Sequence, residues 1–460
     1  MKTQRIHSLL ALLACTAFLP AAAQEAKNLL KEHTRQEITA FFADRLSGKE
    51  TDCPTSRTLK LPETEKFGQE VWQLWKAANG NFQEEKLAAP AALSKETAAS
   101  WQLPEELEPN AVMPFYWGRK EAADSPSDGL PLFLYLHGSG AKEREWENGI
   151  RLCSGFDDAP CLYFIPQIPN EGPYYRWWQR SKQFAWERLL RLALLSDEVN
   201  PNRLYVFGIS EGGYGSQRLA SFYADYWAAA GPMAGGEPLK NAPAENCGNL
   251  AFSLRTGDED TGFYRDRLTR YTAAAFDSLQ RLYPDRYNHW IELIPGKGHH
   301  IDNNPTTPWM KKYVRNPYPK HFLWEDYEMD GRHRKGFYNL YVNERPDNDL
   351  RTRYELDITG NNIVLNVDNV TYQTTETDPK WGIELKFAKS YTPAKRGKVT
   401  VYLNPELVDL SQKVTLTLNG KKVFEGKVKP DLRHLVNSCA IFFDPLRLYP
   451  AAIEVDLEGK

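Results

Sequence analysis

The sequence lacks the features that mark nucleic-acid-binding and membrane-spanning proteins. Its 460 residues contain no long basic stripe and carry a formal net charge of −3, whereas nucleic-acid-binding proteins usually show a clustered positive surface. After the first 23 residues, no apolar run is long enough to cross a bilayer. We therefore expect no nucleic-acid partner and no transmembrane segment.

Cysteine is scarce, and no internal repeat or low-complexity tract is present. Only 6 cysteines occur, and their spacing lacks the close CxxC pairs of a zinc site, so we expect no metal. The cysteines beyond Cys15 are odd in number, which leaves one thiol free if the others pair and is equally compatible with a single disulfide. They are Cys53, Cys153, Cys161, Cys247 and Cys439.

Apolar residues, in contrast, are plentiful. Hydrophobic residues make up 42% and aromatic residues 12% of the chain, including 13 Trp. This is enough to build large cores, and it excludes wholesale disorder. The length predicts two or three domains.

The N-terminus has the pattern of a secretory signal. Lys2 and Arg5 precede the apolar run Leu9–Leu19, and the small residues Ala21–Ala23 form a signal-peptidase site. We expect cleavage near Ala23 and an exported protein, either periplasmic or extracellular. Lipid anchoring through Cys15, which follows a lipobox-like sequence, is the alternative.

Four patterns follow along the rest of the chain. Segment 24–109 has helical spacing and predicts a helical extension, either a packing arm or a lid-like cap. In 110–312, short apolar runs alternate with amphipathic stretches, as in a mostly parallel sheet with helices on both faces. A connector over 313–349 precedes 350–460, where the period becomes two and Asn419-Gly420 indicates a hairpin. We predict an α/β domain followed by a C-terminal β-sandwich.

The clearest local motif surrounds Ser210. The sequence Gly208-Ile209-Ser210-Glu211-Gly212 follows a predicted strand and precedes a predicted helix. In that context GxSxG is a nucleophile elbow, a sharp turn that exposes the serine at the edge of the sheet. Ser210 is therefore the candidate nucleophile.

A catalytic serine needs a base and an acid that orients the base. In this type of sheet the expected chain order is Ser, acid, His, each after a strand. His299 follows the predicted strand 290–294 and is preferred as base over its neighbour His300. Asp260, in the loop after strand 251–254, is preferred as acid over Asp258.

Two further loops complete the predicted site. Small residues at Gly138 and Ser139 follow the most apolar strand, so their backbone N–H groups are candidates for an oxyanion hole together with that of Glu211. His137 is expected beneath this loop in a structural role. An aromatic loop predicts substrate contacts, although it could equally be buried on its own domain; its candidates are Tyr175, Arg176, Trp177 and Trp178.

Taken together, these motifs resemble the α/β-hydrolase superfamily, and within it the secreted branch of esterase D, polyhydroxybutyrate depolymerase-like esterases and predicted peptidases. The layout also resembles exported hydrolases of gut Bacteroidetes. The resemblance implies Ser210 as nucleophile, Asp260 as acid and His299 as base, with oxyanion amides from Gly138 or Ser139 and from Glu211. The Glu after the serine departs from the more usual Met, Gln or His. The matching segments are 136–140, 208–215, 232–236, 257–260 and 296–299.

We therefore predict a secreted serine esterase that acts on acylated carbohydrates or small esters and needs no cofactor. The same triad serves a serine peptidase of this fold, similar to prolyl oligopeptidase, which is the first alternative. A non-catalytic glycan-binding protein is the second.

Overall fold

The computed structural model describes residues 28–51, 53–124 and 126–458. The predicted signal peptide, its cleavage site near Ala23 and Cys15 lie outside these residues. None of the helices in the described ranges is long and apolar enough to cross a membrane.

Helices and strands alternate through the middle of the chain, and strands dominate its C-terminal third. The helices are α1 Glu32–Leu46, α2 Thr64–Asn81, α3 Lys142–Gly155, α4 Arg180–Leu195, α5 Glu211–Phe222, α6 Arg265–Leu282, α7 Thr306–Met310 and α8 Leu432–Phe442. The first strands are β1 Ala91–Ala92, β2 Ala98–Gln102, β3 Val112–Lys120, β4 Leu130–Leu136, β5 Cys161–Pro166, β6 Val199–Ile209, β7 Ala229–Met233, β8 Ala251–Gly257 and β9 His289–Ile294. The later strands are β10 His321–Asp326, β11 Gly336–Phe337, β12 Leu340–Glu344, β13 Arg351–Thr359, β14 Asn362–Thr377, β15 Glu384–Pro393, β16 Lys398–Leu403, β17 Val414–Leu418, β18 Lys421–Gly426 and β19 Ala451–Asp456.

Strands β1 to β9 form one sheet with the order β1-β3-β5-β4-β6-β7-β8-β9, and β2 lies beside β3. From β5 to β9 every neighbouring pair is parallel, whereas β3 runs antiparallel to β5. Helices cover both faces. The predicted fold class, a mostly parallel sheet between helices with a β-rich C-terminal region, is confirmed.

The central strands are apolar throughout because each face of the sheet packs against a separate core. In β4 all seven residues are buried. Leu132, Leu134 and Leu136 belong to one core, while Phe133 and Tyr135 point to the other. This alternation follows from the two-residue period of a strand.

The N-terminal helices α1 and α2 pack on the C-terminal region. Trp75 of α2 shares a core with Leu435 and Val436 of α8. Strands β1 and β2, which also fall within 24–109, pair with β3 of the central sheet instead of forming a purely helical extension. With two and five residues, β1 and β2 are too short for a strand periodicity to be recognised in the sequence.

The C-terminal region contains a six-stranded sheet (β10, β13, β14, β15, β17 and β18) and a four-stranded sheet (β11, β12, β16 and β19). Trp324 of the first stacks on Phe337 of the second, with ring centroids 5.2 Å apart, so the two sheets share a core. Strands β10 to β12 fall within 313–349, and this segment is therefore built into both sheets rather than linking them.

A buried ion network joins the central domain to the C-terminal region. Asp225, which precedes β7, binds Arg334 and Arg447, and Asp444 binds Arg315 and Arg447. Burial opposes the ionisation of both carboxyls, but the arginines outweigh it and lower the pKa of Asp225 and of Asp444. Because a buried charge without its partner is strongly destabilising, this network fixes the two parts relative to each other.

Candidate active site

Ser210 occupies a strained turn between β6 and α5. Its φ of 57° and ψ of −113° are unfavourable for a residue other than glycine. The turn is tight because α5 begins against the end of β4: a Cβ atom on Gly212 would lie 1.9 Å from the carbonyl oxygen of Leu136. Only glycine permits this close approach, and this explains why the motif has glycine at position 212. The tight turn projects the side chain of Ser210 from the edge of the sheet.

Three predicted side chains meet at this edge. Nε2 of His299 is 3.0 Å from Oγ of Ser210, and Nδ1 of His299 is 2.7 Å from Oδ2 of Asp260. Asp260 is buried and His299 is half-buried. Because the carboxylate accepts the proton on Nδ1, the imidazole is left with a free Nε2 lone pair that accepts the hydroxyl proton of Ser210.

The carboxylate of Asp260 has a second partner that the sequence did not reveal. Arg265, at the start of α6, donates two hydrogen bonds of 2.8 and 2.6 Å to its two oxygens. Burial opposes ionisation of Asp260, but the hydrogen bonds from Arg265 and His299 outweigh it, so the pKa of this carboxyl lies below its usual value. Asp260 is thus held ionised and in one orientation.

The two alternatives lie elsewhere. Oδ1 of Asp258 accepts a hydrogen bond of 2.8 Å from the backbone N–H of Gly296, and Asp258 therefore braces the histidine loop. His300 is exposed, and its ring lies 6.1 Å from that of His299.

Backbone N–H groups are available beside the serine. Within the described chain, the N–H groups of Gly138, Ser139 and Glu211 donate no hydrogen bond, and Glu211 is the first residue of α5, where the helix dipole favours negative charge. A Cβ on Gly138 would lie 3.4 Å from Cβ of Ser210. The predicted oxyanion loop is therefore next to the serine.

Two of the four predicted substrate contacts, Tyr175 and Trp177, have side chains that lie beneath this loop instead of in the cavity. Trp177 is completely buried and donates from Nε1 to the carbonyl oxygen of His137, at 2.9 Å. The hydroxyl of Tyr175, also buried, donates to the carbonyl oxygen of Gly138, at 2.8 Å. Both residues hold the oxyanion loop from below, because their polar groups satisfy its buried backbone, and neither lines the cavity described below.

His137 is the centre of this support. Its Nε2 accepts a hydrogen bond from the N–H of Ile168 at 3.1 Å, so the proton is on Nδ1, which donates to the carbonyl oxygen of Gly138 at 2.7 Å. Burial lowers the pKa of His137 to about 4. The ring is neutral at neutral pH and has the structural role expected for it.

Arg176 and Trp178 do line a cavity of about 410 Å³ that begins at Glu211. The guanidinium of Arg218 lies 3.8 Å from the ring centroid of Trp178, and its Nε donates to Glu237 at 2.7 Å. Arg176 lies 3.5 Å from Glu211. This size is typical of a pocket for a small organic ligand.

Glu211 is 8% exposed. Burial raises its pKa to about 7, with Arg176 partly opposing the shift and Glu237 adding to it. The folded protein therefore binds a proton that the unfolded chain releases between about pH 4.5 and 7, and its stability falls as the pH rises through that window.

We expect Glu211→Gln to relieve this penalty. Thermal unfolding of the variant and the wild type should coincide near pH 4 and diverge above pH 7, where the variant unfolds on the order of a few degrees higher. Glu143→Gln, an exposed change on α3, is the control and should show no pH-dependent difference. A Glu211→Gln difference that is the same at both pH values would contradict the assignment.

Sequence reasoning missed Arg265 and the pair Arg218–Glu237. Arg265 follows Asp260 by five residues, and a basic residue close behind the candidate acid was the available signal. Glu237 lies just after β7 at the same sheet edge, and only the strand order would have placed it near Glu211. Among the residues that the structure describes, no group of three or more His, Cys, Asp or Glu side chains could hold a metal ion.

No family model matches the chain, and no curated protein matches its sequence. Solved structures with a similar region include a thermostable esterase, 18% identical, with a TM-score of 0.38 over 47% of this chain and 62% of that one. A ferulic acid esterase from Anaeromyces mucronatus is 12% identical, with a TM-score of 0.33 over 50% of this chain and 92% of that one. A protein described as a dipeptidyl aminopeptidase IV from Bacteroides ovatus is 13% identical, with a TM-score of 0.34 over 47% and 34%. The chain thus spans less than two thirds of the thermostable esterase and of the aminopeptidase.

The fold assignment depends on this chain's own topology. Strand β3 is antiparallel to β5, the following strands are parallel, and a strained serine turn joins β6 to α5 at their carboxyl edge. This combination is the one in which the nucleophile elbow occurs. The chain has the α/β-hydrolase fold, as the resemblance of its motifs implies.

Proposed function

We propose that the protein is a serine hydrolase that cleaves carboxylic esters, with acylated carbohydrates or small esters as substrates. The observation that carries the proposal is the hydrogen-bonded series from Ser210 through His299 to Asp260, with distances of 3.0 and 2.7 Å. These are the contacts that an activated serine requires.

In the proposed reaction, His299 removes the hydroxyl proton of Ser210 while Oγ attacks the ester carbonyl carbon. The resulting oxyanion accepts hydrogen bonds from the N–H of Glu211 and from that of Gly138 or Ser139. Each such donor is worth about 3 kcal/mol in the transition state. His299 then gives its proton to the departing alcohol, and an acyl-enzyme remains.

Water completes the cycle. His299 takes a proton from water as the water oxygen attacks the acyl carbon, and it returns this proton to Oγ of Ser210 as the acid leaves. Asp260 keeps the imidazole in one tautomer and stabilises its protonated form throughout. Arg265 holds Asp260 ionised.

A substrate panel tests the choice of bond. We expect the protein to hydrolyse p-nitrophenyl acetate and monoacetylated methyl glycosides, and to leave alanine p-nitroanilide and proline dipeptide anilides almost untouched. The reason is that a peptidase acting at a free N-terminus needs carboxylates to bind the ammonium group, whereas Glu211, Glu237 and Glu384 of the cavity are each paired with a basic side chain of this chain. A preference for the anilides would favour a peptidase instead.

A further inference from the structure

The cavity that is lined by Glu211, the residue after Ser210, is built from segments that lie far apart in the chain. On one side it is lined by Glu211 and by Phe263, which follows the acid loop. On the other it is lined by Gly382 and Ile383, from the turn between β14 and β15, and by Glu384, the first residue of β15. The C-terminal region therefore supplies a wall of the pocket.

This turn is attached to the catalytic domain. The hydroxyl of Tyr264 donates to Asp378, and Lys240 binds Glu384 at 2.8 Å. Tyr264 lies four residues beyond Asp260, at the start of α6. These contacts hold the pocket wall at 382–384 in a fixed position relative to the triad.

The charges that line the cavity are balanced. Each charged side chain of the lining has a partner of opposite sign: Arg176 with Glu211 at 3.5 Å, Arg218 with Glu237 at 2.7 Å, and Lys240 with Glu384 at 2.8 Å. A carboxylate or an ammonium ligand would compete with these existing partners, and at the pair Arg218–Glu237, where Glu237 is buried, it would leave a charge without its partner, which is costly away from water. The lining therefore suits a neutral ligand.

One acceptor in this lining lacks a partner. Oε1 of Glu211 is buried and has no hydrogen-bond partner within the described residues, because the contact with Arg176 is made by Oε2. A buried polar atom without a partner is unfavourable, and a hydroxyl of a bound ligand would satisfy it.

The mouth of the cavity is aromatic. Phe263 is 49% exposed and Trp381 is 53% exposed, and their ring centroids lie 5.1 Å apart. Large exposed aromatic rings next to a pocket provide apolar faces on which the C–H face of a ring ligand can be buried.

We propose that this cavity is a subsite for a neutral, polyhydroxylated ring of the ester substrate, completed by the β14–β15 turn, with Glu211 accepting a hydroxyl hydrogen bond and Trp381 covering the ring. The proposal rests on the function proposed above and makes the C-terminal region a determinant of specificity. A sugar ring has this chemistry, since it combines hydroxyl donors with an apolar C–H face.

The test is a specificity ratio. For each protein we would measure kcat/KM for a monoacetylated methyl glucoside and for p-nitrophenyl acetate, which has no sugar, and divide the first by the second. We expect Trp381→Ala to lower this ratio about tenfold, equivalent to ~1.4 kcal/mol, with the loss in KM rather than kcat. Tyr391→Ala, which removes an exposed aromatic ring from β15 that does not line the cavity, should keep the wild-type ratio.

A second variant covers the case in which Trp381→Ala misfolds. Ile383→Trp adds bulk at a half-buried position of the lining and should raise KM for the glucoside, with thermal unfolding used to verify folding. Wild-type ratios in folded variants at both positions would overturn the subsite. Absence of hydrolysis of either ester by the wild type would instead overturn the proposed function, so the two failures are distinguishable.

Discussion

Replacing Asp260 by Asn is expected to lower kcat for ester hydrolysis by about 10⁴-fold. In the wild type, Oδ2 of Asp260 accepts the Nδ1 proton of His299 at 2.7 Å. An amide nitrogen at this position would donate instead and favour the tautomer with the proton on Nε2. That proton would face Ser210, and the base would be lost.

The substitution also removes the carboxylate that binds Arg265, so folding must be checked alongside activity. Asp258→Asn is the matched control two residues earlier in the same loop. It changes a carboxylate whose one side-chain hydrogen bond within the described residues is from the backbone N–H of Gly296, and we expect kcat within a few-fold of wild type. Steady-state kinetics with p-nitrophenyl acetate would separate the two. Equal losses in both variants, or a larger loss in Asp258→Asn, would show that Asp260 is not the acid of the triad.

The sequence predicts the parts of the site that short motifs encode, namely the nucleophile elbow and the order of serine, acid and histidine along the chain. The glycines of the elbow are needed because α5 starts against β4, and this need is visible as GxSxG. The order of serine, acid and histidine follows from the strand sequence, since the carboxyl ends of parallel strands meet at one edge. The sequence could not by itself decide between Asp258 and Asp260, because both lie in one loop and their directions depend on its folded shape.

The sequence alone does not show in which direction each side chain points or which distant segments are in contact. The sequence pattern groups Tyr175 and Trp177 with Arg176 and Trp178 because four bulky residues lie in a row, but Tyr175 and Trp177 point under the oxyanion loop. The helix α8 and the strands β10 to β12 were not recognised, and they complete the C-terminal sheets and the packing of the N-terminal helices. The pocket wall at 382–384 begins 83 residues after His299, the last residue of the triad in the chain, and no local pattern links them.

The most direct test of the central claim is labelling of the serine itself. Ser210→Ala is expected to lower ester turnover on the order of 10⁶-fold, because Oγ is the atom that bonds to the acyl group. A fluorophosphonate reacts with the same oxygen, since an activated serine attacks phosphorus and displaces fluoride. We would expose the folded wild type, Ser210→Ala and Ser139→Ala to this reagent and locate the adduct by peptide mass spectrometry.

Ser139 is the matched control, since it is an exposed serine beside the site whose hydroxyl has no role in the proposed reaction. The account predicts one adduct, on Ser210, in the wild type and in Ser139→Ala, and none in Ser210→Ala. An unlabelled but folded wild type, or an adduct that persists in Ser210→Ala, would contradict it.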